Sequence, residues 1–314
     1  SAVVPPILAI GATPVLADVG NELNVTADTV AAVLTKKTRV VIVPHLFGNP
    51  ADLHSILEVA QRRNVYVIDD AAQAFGATIN NQRVGSFGNF GILSFGNEKV
   101  CPSIGGGALL SGDNESFVLS SAVPIAPPPY VPTLRRCCST SIRNRWGRRF
   151  TALAKLRGSH SDPTMIPATY EREAMANVYA AVAVTLIKRL TEHIAARRER
   201  VRAYRELLGQ KASLELIPHR LGSACLTQVV RVLPRKHSRD IATDVMNALV
   251  AEGYEVQGSY VPLHLILGLS ACVWDRLPYA DRIWSDLIEL PCEPSLSFDN
   301  LARIATIVAA ITKT

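Results

Sequence analysis

The sequence predicts an α/β protein in which helices flank a mainly parallel sheet, followed by a smaller C-terminal α/β unit. Short runs rich in Val and Ile recur through the first part of the chain, and helical patterns separate them. Uninterrupted apolar runs of this length are typical of strands buried on both faces. Strand–helix alternation at this spacing favours parallel strands, and such sheets bind ligands at the carboxyl ends of their strands.

Four apolar runs predict the strands of the first unit: PVLADV (14–19), RVVIVPH (39–45), VYVIDD (65–70) and FGILSFG (90–96). Residues 26–37 begin with a Thr cap, and residues 49–64 place apolar side chains on one face, so both segments predict helices. Asp69 and Asp70 end one predicted strand, and Lys99 follows another. We therefore expect these three side chains at the ligand-binding edge of the sheet.

The rest of the chain predicts a connection, a long helix and a second unit. Residues 120–133 are rich in proline and predict an irregular connection. Residues 170–208 predict one helix whose apolar first half lies in the core and whose charged second half enters solvent. Beyond it we expect a strand at 224–234 and helices at 239–256, 279–291 and 299–313. We divide the chain into a large unit, 1–205, with an irregular basic insertion at about 120–160, and a small unit, 206–314.

The composition of the 314-residue chain is ordinary for a globular protein, with 48% hydrophobic and 19% charged residues. No apolar run reaches the ~20 residues needed to cross a bilayer, and the first residues do not resemble a signal peptide. The six cysteines form neither a CxxC pair nor a disulfide framework, so we expect reduced thiols in a cytoplasmic protein. They are Cys101, Cys137, Cys138, Cys225, Cys272 and Cys292.

The net charge of +6 is concentrated in residues 134–158, which contain eight Lys or Arg and no Asp or Glu. Such a block attracts phosphates, nucleic acid or an anionic surface. The alternative, which a charge cluster alone favours, is a solvated basic helix or loop. No nucleic-acid-binding motif accompanies the block, so no specific nucleic-acid partner is predicted.

The segment around Lys99 brings together the groups that pyridoxal phosphate needs. VIDDAAQAFGA supplies two carboxylates and Gln73, ILSFGNEK supplies Ser94 and Lys99, and SIGGGALL supplies three glycines. A lysine amine can form a Schiff base with an aldehyde, and a carboxylate can keep a pyridine nitrogen protonated. A hydroxyl and backbone N–H groups can bind a phosphate. Taken singly, these features are more often a surface lysine, a strand-end turn or cap and a tight turn than a cofactor site.

Several motifs, taken in order, give a stronger indication. Four motifs of the DegT/StrS family have counterparts here, in the same order. Its VHLYG resembles PHLFG (44–48), and its DAAQAHGA resembles DDAAQAFGA (69–77). Its GSFGD resembles GSFGN (85–89), and its FSF…K strand and loop resembles LSFGNEK (93–99). YVPLH (260–264) and ELPCEPSLSFDNL (289–301) resemble its YPPLH and SLPLHPSLTDED. Members of this family are fold type I, pyridoxal-phosphate-dependent sugar aminotransferases. The resemblance covers nearly the whole chain and is weakest at 113–170.

The resemblance implies a role for each matching residue. Lys99 would bind the aldehyde of pyridoxal phosphate and later move a proton, and Asp70 would pair with the pyridine nitrogen. Gln73 would face the phenolic oxygen or the ring, and Ser94 would bind the phosphate. Asp69 matches a position that supports the site. No metal ligand is expected.

Two residues of the YVPLH motif, Tyr260 and His264, would border the substrate cleft. Packing and hydrogen bonding inside the small unit is an equally open interpretation of both. His45 is expected to be structural, and none of the cysteines has a role in this scheme.

As a function, the resemblance implies transfer of an amino group, from glutamate, to a nucleotide-linked keto-deoxy sugar by a homodimer. Lys99 argues against the dehydratase branch of the family, in which a histidine takes its place. The first residues resemble an internal stretch of the family. In the family, an N-terminal helix and a Gly-Thr turn that bind phosphate come before this stretch, and the resemblance finds neither in this sequence. Three explanations stay open: a fragment, a shortened gene product, or a site that another chain completes.

Two other functions stay open. The chain could be a non-catalytic, aminotransferase-like binding or regulatory protein. A nucleic-acid-binding protein that uses the basic block has only its charge in support.

Overall fold

The computed structural model describes residues 3–111, 125–146, 173–233, 238–254, 256–258, 261–266 and 271–313. The described strands are β1 Val40–Pro44, β2 Tyr66–Asp70, β3 Thr78–Ile79, β4 Gln82–Arg83, β5 Phe90–Ser94, β6 Gly107–Ser111, β7 Leu214–Leu216, β8 Thr227–Val232, β9 Gln257–Gly258 and β10 Leu287–Pro291. The described helices are α1 Val4–Ala9, α2 Ala27–Val33, α3 Leu53–Arg62, α4 Tyr130–Trp146, α5 Asn177–Ile187, α6 Leu190–Leu208, α7 Ser238–Ala251, α8 Pro278–Ile283 and α9 Phe298–Ile311. Short 3₁₀ turns lie at 46–48, 263–265 and 284–286.

The first sheet has the strand order β1-β2-β5-β6. The first three strands are parallel, and β6 pairs antiparallel with β5. This arrangement confirms the α/β class and the mainly parallel sheet. The register sets Pro44 opposite Asp70 and Asp70 opposite Ile92, so the carboxyl ends of these strands meet at one edge.

Of the two helices beside this sheet, α2 begins at the predicted Thr cap, and α3 begins four residues later than predicted, after an Asp cap that the sequence analysis did not identify. Thr26 accepts the backbone N–H of Thr29, and the Thr29 hydroxyl accepts the backbone N–H of Thr26 in return. Asp52 caps α3, whose apolar stripe is fully buried against the sheet. Both helices end earlier than predicted.

The second sheet has the order β7-β8-β10-β9, and all its strand pairs are antiparallel. The helix predicted over 279–291 is wrong in its second half, because residues 287–291 form β10 between β8 and β9. All five residues of β10 are buried. A short apolar run buried on both faces cannot be told from a helix segment by its periodicity, which explains the error.

The strand predicted at PVLADV is also wrong. The segment makes one isolated bridge, from Val15 to Val273, outside both sheets. Asp18 holds it in place, because its carboxylate accepts the backbone N–H groups of Tyr279 and Ala280 at the start of α8. An aspartate from a distant segment thus supplies the cap that α8 lacks locally.

The single helix predicted over 170–208 is two helices, with a break at Lys188 and Arg189. Its charged second half enters solvent only in part: Glu199 and Arg202 are exposed as expected, whereas two arginines are buried. Arg197 donates to the carbonyl oxygen of Leu226 at 2.8 Å, and Arg200 donates to that of Leu296 at 2.7 Å. Both arginines are buried, and backbone carbonyl oxygens replace the water that their guanidinium groups lose.

Helix α6 contributes to two hydrophobic cores. Leu190 and Ile194 pack in the core beneath the first sheet, whereas Tyr204 and Leu208 pack in the core of the second sheet. The helix therefore connects the two units, and the boundary at residue 205 stays a prediction.

The basic block lies only partly within the described residues. Helix α4, Tyr130–Trp146, corrects the prediction that residues 120–133 and the basic insertion at about 120–160 are irregular, because residues 130–146 of these segments are helical. Arg135 and Arg136 are exposed, as in a solvated basic helix, and residues 147–158 lie outside the described part of the chain. Across the helices that the structure describes, none combines the length and the apolarity that crossing a membrane requires.

Leu290→Ala tests the core of the second sheet. Leu290 is fully buried in β10, so we expect the free energy of unfolding to fall by about 2–5 kcal/mol. Urea denaturation measures the change. Leu221, which is fully exposed, is the control, and Leu221→Ala should leave the midpoint almost unchanged. Equal losses in the two variants would contradict the burial of β10.

Candidate active site

Asp69 and Asp70, at the end of β2, point to opposite sides of the sheet because successive strand residues alternate. Asp69 is fully buried, and its two oxygens have separate partners. Oδ1 accepts from His45 Nε2 at 2.7 Å, and Oδ2 accepts the backbone N–H groups of Gly85 at 2.6 Å and Phe87 at 3.0 Å. Asp69 is therefore occupied in holding the scaffold.

His45 is fixed by the same contacts. Its Nδ1 accepts the backbone N–H of Ala51 at 2.9 Å, so Nε2 carries the proton that it donates to Asp69. The ring is 1% exposed. These contacts give His45 a structural role, as the sequence suggests.

Asp70 faces the other way and is nearly buried. Its Oδ1 accepts the backbone N–H of Ala72 at 3.0 Å. Burial raises the pKa of Asp70, while the Ala72 hydrogen bond and the charge of Lys99 lower it. The carboxylate thus lies at the edge of the sheet in an environment that favours a cationic partner.

Ser94 and Lys99 border one small space at the end of β5. A methyl group added at Gly96 would lie 3.6 Å from Lys99 Cγ and 3.7 Å from Ser94 Oγ. The backbone N–H of Gly96 points to Ser94 Oγ at 3.4 Å, and Lys99 N donates to the carbonyl oxygen of Gly96 at 3.1 Å. The turn at Gly96 therefore places the side chains of Ser94 and Lys99 around the same glycine.

The Lys99 amine has a lowered pKa because burial disfavours its charge. The carboxylates of Asp70, Glu98 and Glu289 oppose this effect. A desolvated lysine next to carboxylates is typical of amines that react with carbonyl groups.

The side chain of Gln73 forms a hydrogen bond with the loop after β1. Its Oε1 accepts the backbone N–H of Phe47 at 2.9 Å. Phe47 has a φ of 59°, which is unusual for a bulky residue, so this hydrogen bond supports a strained turn. The role of Gln73 toward a cofactor stays a prediction.

The glycine run after Lys99 serves close packing. A methyl group at Gly106 would lie 2.6 Å from Met175 Cγ, and one at Gly107 would lie 2.6 Å from the carbonyl oxygen of Leu93. Gly106 also has a φ of +97°. These glycines let β6 return beside β5.

His264 lies in the second unit. Its Nε2 is 2.7 Å from Asp281 Oδ1, and its ring packs against Trp274 at 5.6 Å. These are the packing contacts that the alternative interpretation expected. Tyr260 lies outside the described residues, so the substrate role of the pair stays a prediction.

Glu289 is a residue that sequence reasoning missed. It is 7% exposed in the middle of β10, and Thr227 Oγ1 donates to its Oε2 at 3.2 Å. Burial raises the pKa of Glu289 to about 7; the Glu98 charge adds to this effect, while the Thr227 hydrogen bond and Lys99 oppose it. The sequence does contain a signal for it, an acidic residue next to apolar residues in a short run. The prediction of a helix there assigned no buried strand position to this residue.

A cleft of about 720 Å³ lies elsewhere, on the second unit, and its lining includes Arg205, Leu214 and His219. His219 accepts or donates a hydrogen bond with Ser223 Oγ at 2.9 Å, and burial lowers its pKa to about 4. Asp70 and Lys99 are not among the residues that line this cleft. The cleft is therefore separate from the side chains with perturbed pKa values at the sheet edge, and we take the sheet edge as the candidate active site.

Comparison with known proteins decides between the interpretations. The profile of the DegT/DnrJ/EryC1/StrS aminotransferase family matches residues 1–309. The chain belongs to this family. The resemblance that the sequence motifs indicate is confirmed, and with it the class of enzyme.

Curated relatives in the family include several sugar aminotransferases. GDP-perosamine synthase of Caulobacter vibrioides is 27% identical over 303 residues, which are 94% of this chain and 72% of that protein. UDP-N-acetyl-3-dehydro-alpha-D-glucosamine 3-aminotransferase of Acidithiobacillus ferrooxidans is 42% identical over 111 residues, 35% of this chain and 30% of that protein. L-glutamine:2-deoxy-scyllo-inosose aminotransferase of Streptomyces fradiae is 28% identical over 264 residues, 82% of this chain and 57% of that protein.

Solved structures agree with the family. Aminotransferase TlmJ of Streptoalloteichus hindustanus superposes with a TM-score of 0.74 at 25% identity, over 97% of this chain and 74% of that one. A family aminotransferase of Brucella abortus gives a TM-score of 0.76 at 22% identity, over 100% of this chain and 78% of that one, and supports the fold alone.

The side chains at the sheet edge fit pyridoxal phosphate. Asp70 offers a buried carboxylate for a cationic ring nitrogen, and Lys99 offers an amine with a lowered pKa for an aldehyde. Gly96 leaves open the space beside Ser94 that a side chain would fill. The family and this donor set support the same cofactor.

Asp69→Ala tests the scaffold. It would leave His45 Nε2 and the Gly85 and Phe87 N–H groups buried without their acceptor. We expect a loss of about 3–5 kcal/mol in the free energy of unfolding, measured in urea. Glu58→Ala, which removes an exposed ion pair with Arg62, should cost far less. A loss for Asp69→Ala that matches this control would contradict the assigned role.

Glu289→Gln tests the buried carboxyl through stability. The folded state keeps the Glu289 proton up to a pKa of about 7, whereas the usual value is 4.5. Between these pH values the folded form thus binds more protons than the unfolded form. The contribution of protonated Glu289 to the free energy of unfolding is therefore complete below pH 4.5 and is lost as the pH rises through 7. Relative to Glu289→Gln, the parent should lose on the order of 3 kcal/mol across this window.

Urea denaturation at several pH values measures the difference between the two proteins. Glu252→Gln, which removes an exposed partner of Arg303, is the control and should not change the pH dependence. A difference between parent and Glu289→Gln that is constant with pH would contradict the burial of this carboxyl.

Proposed function

We propose that this chain is a pyridoxal-phosphate-dependent aminotransferase that transfers an amino group from glutamate to a keto group on a nucleotide-linked deoxy sugar. The observation that carries the proposal is the space shared by Ser94 and Lys99, with Asp70 within electrostatic reach, in a chain of an aminotransferase family. Lysine, carboxylate and hydroxyl at the carboxyl edge of a parallel sheet supply what the cofactor and its reaction need.

The roles of the residues follow from their chemistry. Lys99 would hold the aldehyde carbon, Asp70 the ring nitrogen, Ser94 the phosphate, and Gln73 the phenolic oxygen or the ring face. When bound, the cofactor supplies an electron-accepting ring that stabilises a carbanion. Lys99 Nζ then moves a proton at the substrate carbon that carries the amine, since it is the base at the site with a lowered pKa.

The names of the relatives support the acceptor class. Two of them name GDP- and UDP-linked sugars, and a third names L-glutamine as the donor and an inosose as the acceptor. We therefore propose a nucleotide sugar as acceptor and glutamate as donor, with glutamine as the competing donor in any assay. We also propose Tyr260 and His264 at the substrate cleft, a homodimer in the cytoplasm, and contact of the basic block with an anionic surface.

Lys99→Ala tests the proposed function. The parent chain mixed with pyridoxal phosphate should give a visible absorbance band, and borohydride should fix the cofactor on Lys99, as identified by peptide mass spectrometry. The variant should lose both signals because it lacks the amine. Screening of glutamate and glutamine against GDP-, UDP- and TDP-linked keto sugars follows in the parent.

Lys188→Ala is the matched control, because Lys188 is an exposed lysine at the end of α5. It should keep the band and the fixed cofactor. A folded parent that gives no band would overturn the proposal and favour the non-catalytic binding protein. Fixation on Lys188 or another exposed lysine would also count against it.

A further inference from the structure

The sheet of the second unit turns one face toward the candidate site. In β10, Ile288 and Leu290 point into the core of the second unit, so Glu289 between them points to the opposite face. On this opposite face, Val229 and Leu287 pack against Phe47 of the loop that follows β1. Glu289 is paired in register with Val229. Its side chain is therefore buried where the second sheet meets the end of the first.

Glu289 is held in one orientation by Thr227 of β8, which donates to its Oε2 at 3.2 Å. Among the described residues, the charges of Glu98 and Lys99, both from the loop after β5, act on it electrostatically. Lys99 in turn faces Asp70, Glu98 and Glu289. A buried carboxylate from the second unit thus shares one environment with the proposed nucleophile.

We propose that Glu289 is a positioning residue whose carboxylate, once ionised, favours the Lys99 ammonium together with Asp70 and Glu98, and so helps to set the pH at which this amine becomes a nucleophile. The assignment deepens the proposed function, on which it rests for the role of Lys99. Charge at a buried site acts strongly because little water screens it.

The alternative source of this charge is Glu98. It is exposed, so water and salt screen its effect on Lys99. Glu289 is buried, and its effect should persist in salt. Ionic strength therefore distinguishes the two carboxylates.

Reductive methylation of the cofactor-free chain measures the reactivity of Lys99 directly. Formaldehyde and borohydride modify neutral amines, and peptide mass spectrometry over a pH series gives the midpoint for Lys99, with exposed Lys188 as an internal reference. Glu289→Gln should lower the Lys99 midpoint by about 0.5–1 pH unit, which raises its modification about threefold to tenfold below the midpoint. The shift should remain at high salt.

Four variants make the result specific. Thr227→Val keeps the charge but removes its hydrogen bond, so it should lower the midpoint by less than Glu289→Gln. Glu289→Asp should restore part of the parent midpoint. Glu98→Gln should give a shift that high salt removes, and Glu252→Gln should give none. An unchanged or raised midpoint in Glu289→Gln, or a salt-resistant shift of equal size in Glu98→Gln, would overturn the proposal.

Pyridoxal phosphate separates this inference from the proposed function. If the parent captures no cofactor but Glu289→Gln still shifts the Lys99 midpoint, the proposed function fails and the coupling of Glu289 to Lys99 stands. If the parent captures the cofactor but Glu289→Gln does not shift the Lys99 midpoint, the proposed function stands and the coupling of Glu289 to Lys99 fails.

Discussion

The buried carboxylate of Asp69 is the constraint on which the candidate site depends. It joins three segments that are distant in sequence: the end of β1 through His45, the end of β2, and the turn at Gly85 and Phe87. Because strand residues alternate, a fixed Asp69 on one side directs Asp70 to the other. Of the two adjacent aspartates, Asp69 thus holds the scaffold, and Asp70 lies at the edge where we propose that the cofactor binds.

The loop after β1 connects this scaffold to the second unit through hydrogen bonds. The carbonyl oxygen of Gly48 accepts the backbone N–H of Ala224 at 2.8 Å and the hydroxyl of Ser223 at 2.7 Å. Gly48 has a φ of +79°, and a methyl group there would lie 2.4 Å from the backbone nitrogen of Leu226. Only glycine allows so close an approach. The second sheet therefore sits directly against the edge where Asp70 and Lys99 lie.

Much of the first unit could be predicted because its signals are local. Apolar runs marked β1, β2 and β5, and the ordered motifs marked Asp70 and Lys99. The partners of buried polar groups could not be predicted, because they come from remote segments. Nothing near Arg200 in sequence indicates that carbonyl oxygens beyond β10 will bind it. The sequence of β10 also predicts a helix, because a short buried run has no diagnostic period.

Glu289 could not be predicted for the same reason, because the groups it acts on lie in a remote segment. Its effect is on the charge of Lys99. Lys99 is subject to two opposing effects: burial, which disfavours its charge, and the carboxylates around it, which favour that charge. Asp70 comes from the first unit and Glu289 from the second. The reactivity of the amine is thus set by both sheets together, and it depends on how closely the loop at Gly48 holds them. A chain with the right motif but a looser junction would keep the lysine and lose the control of its charge.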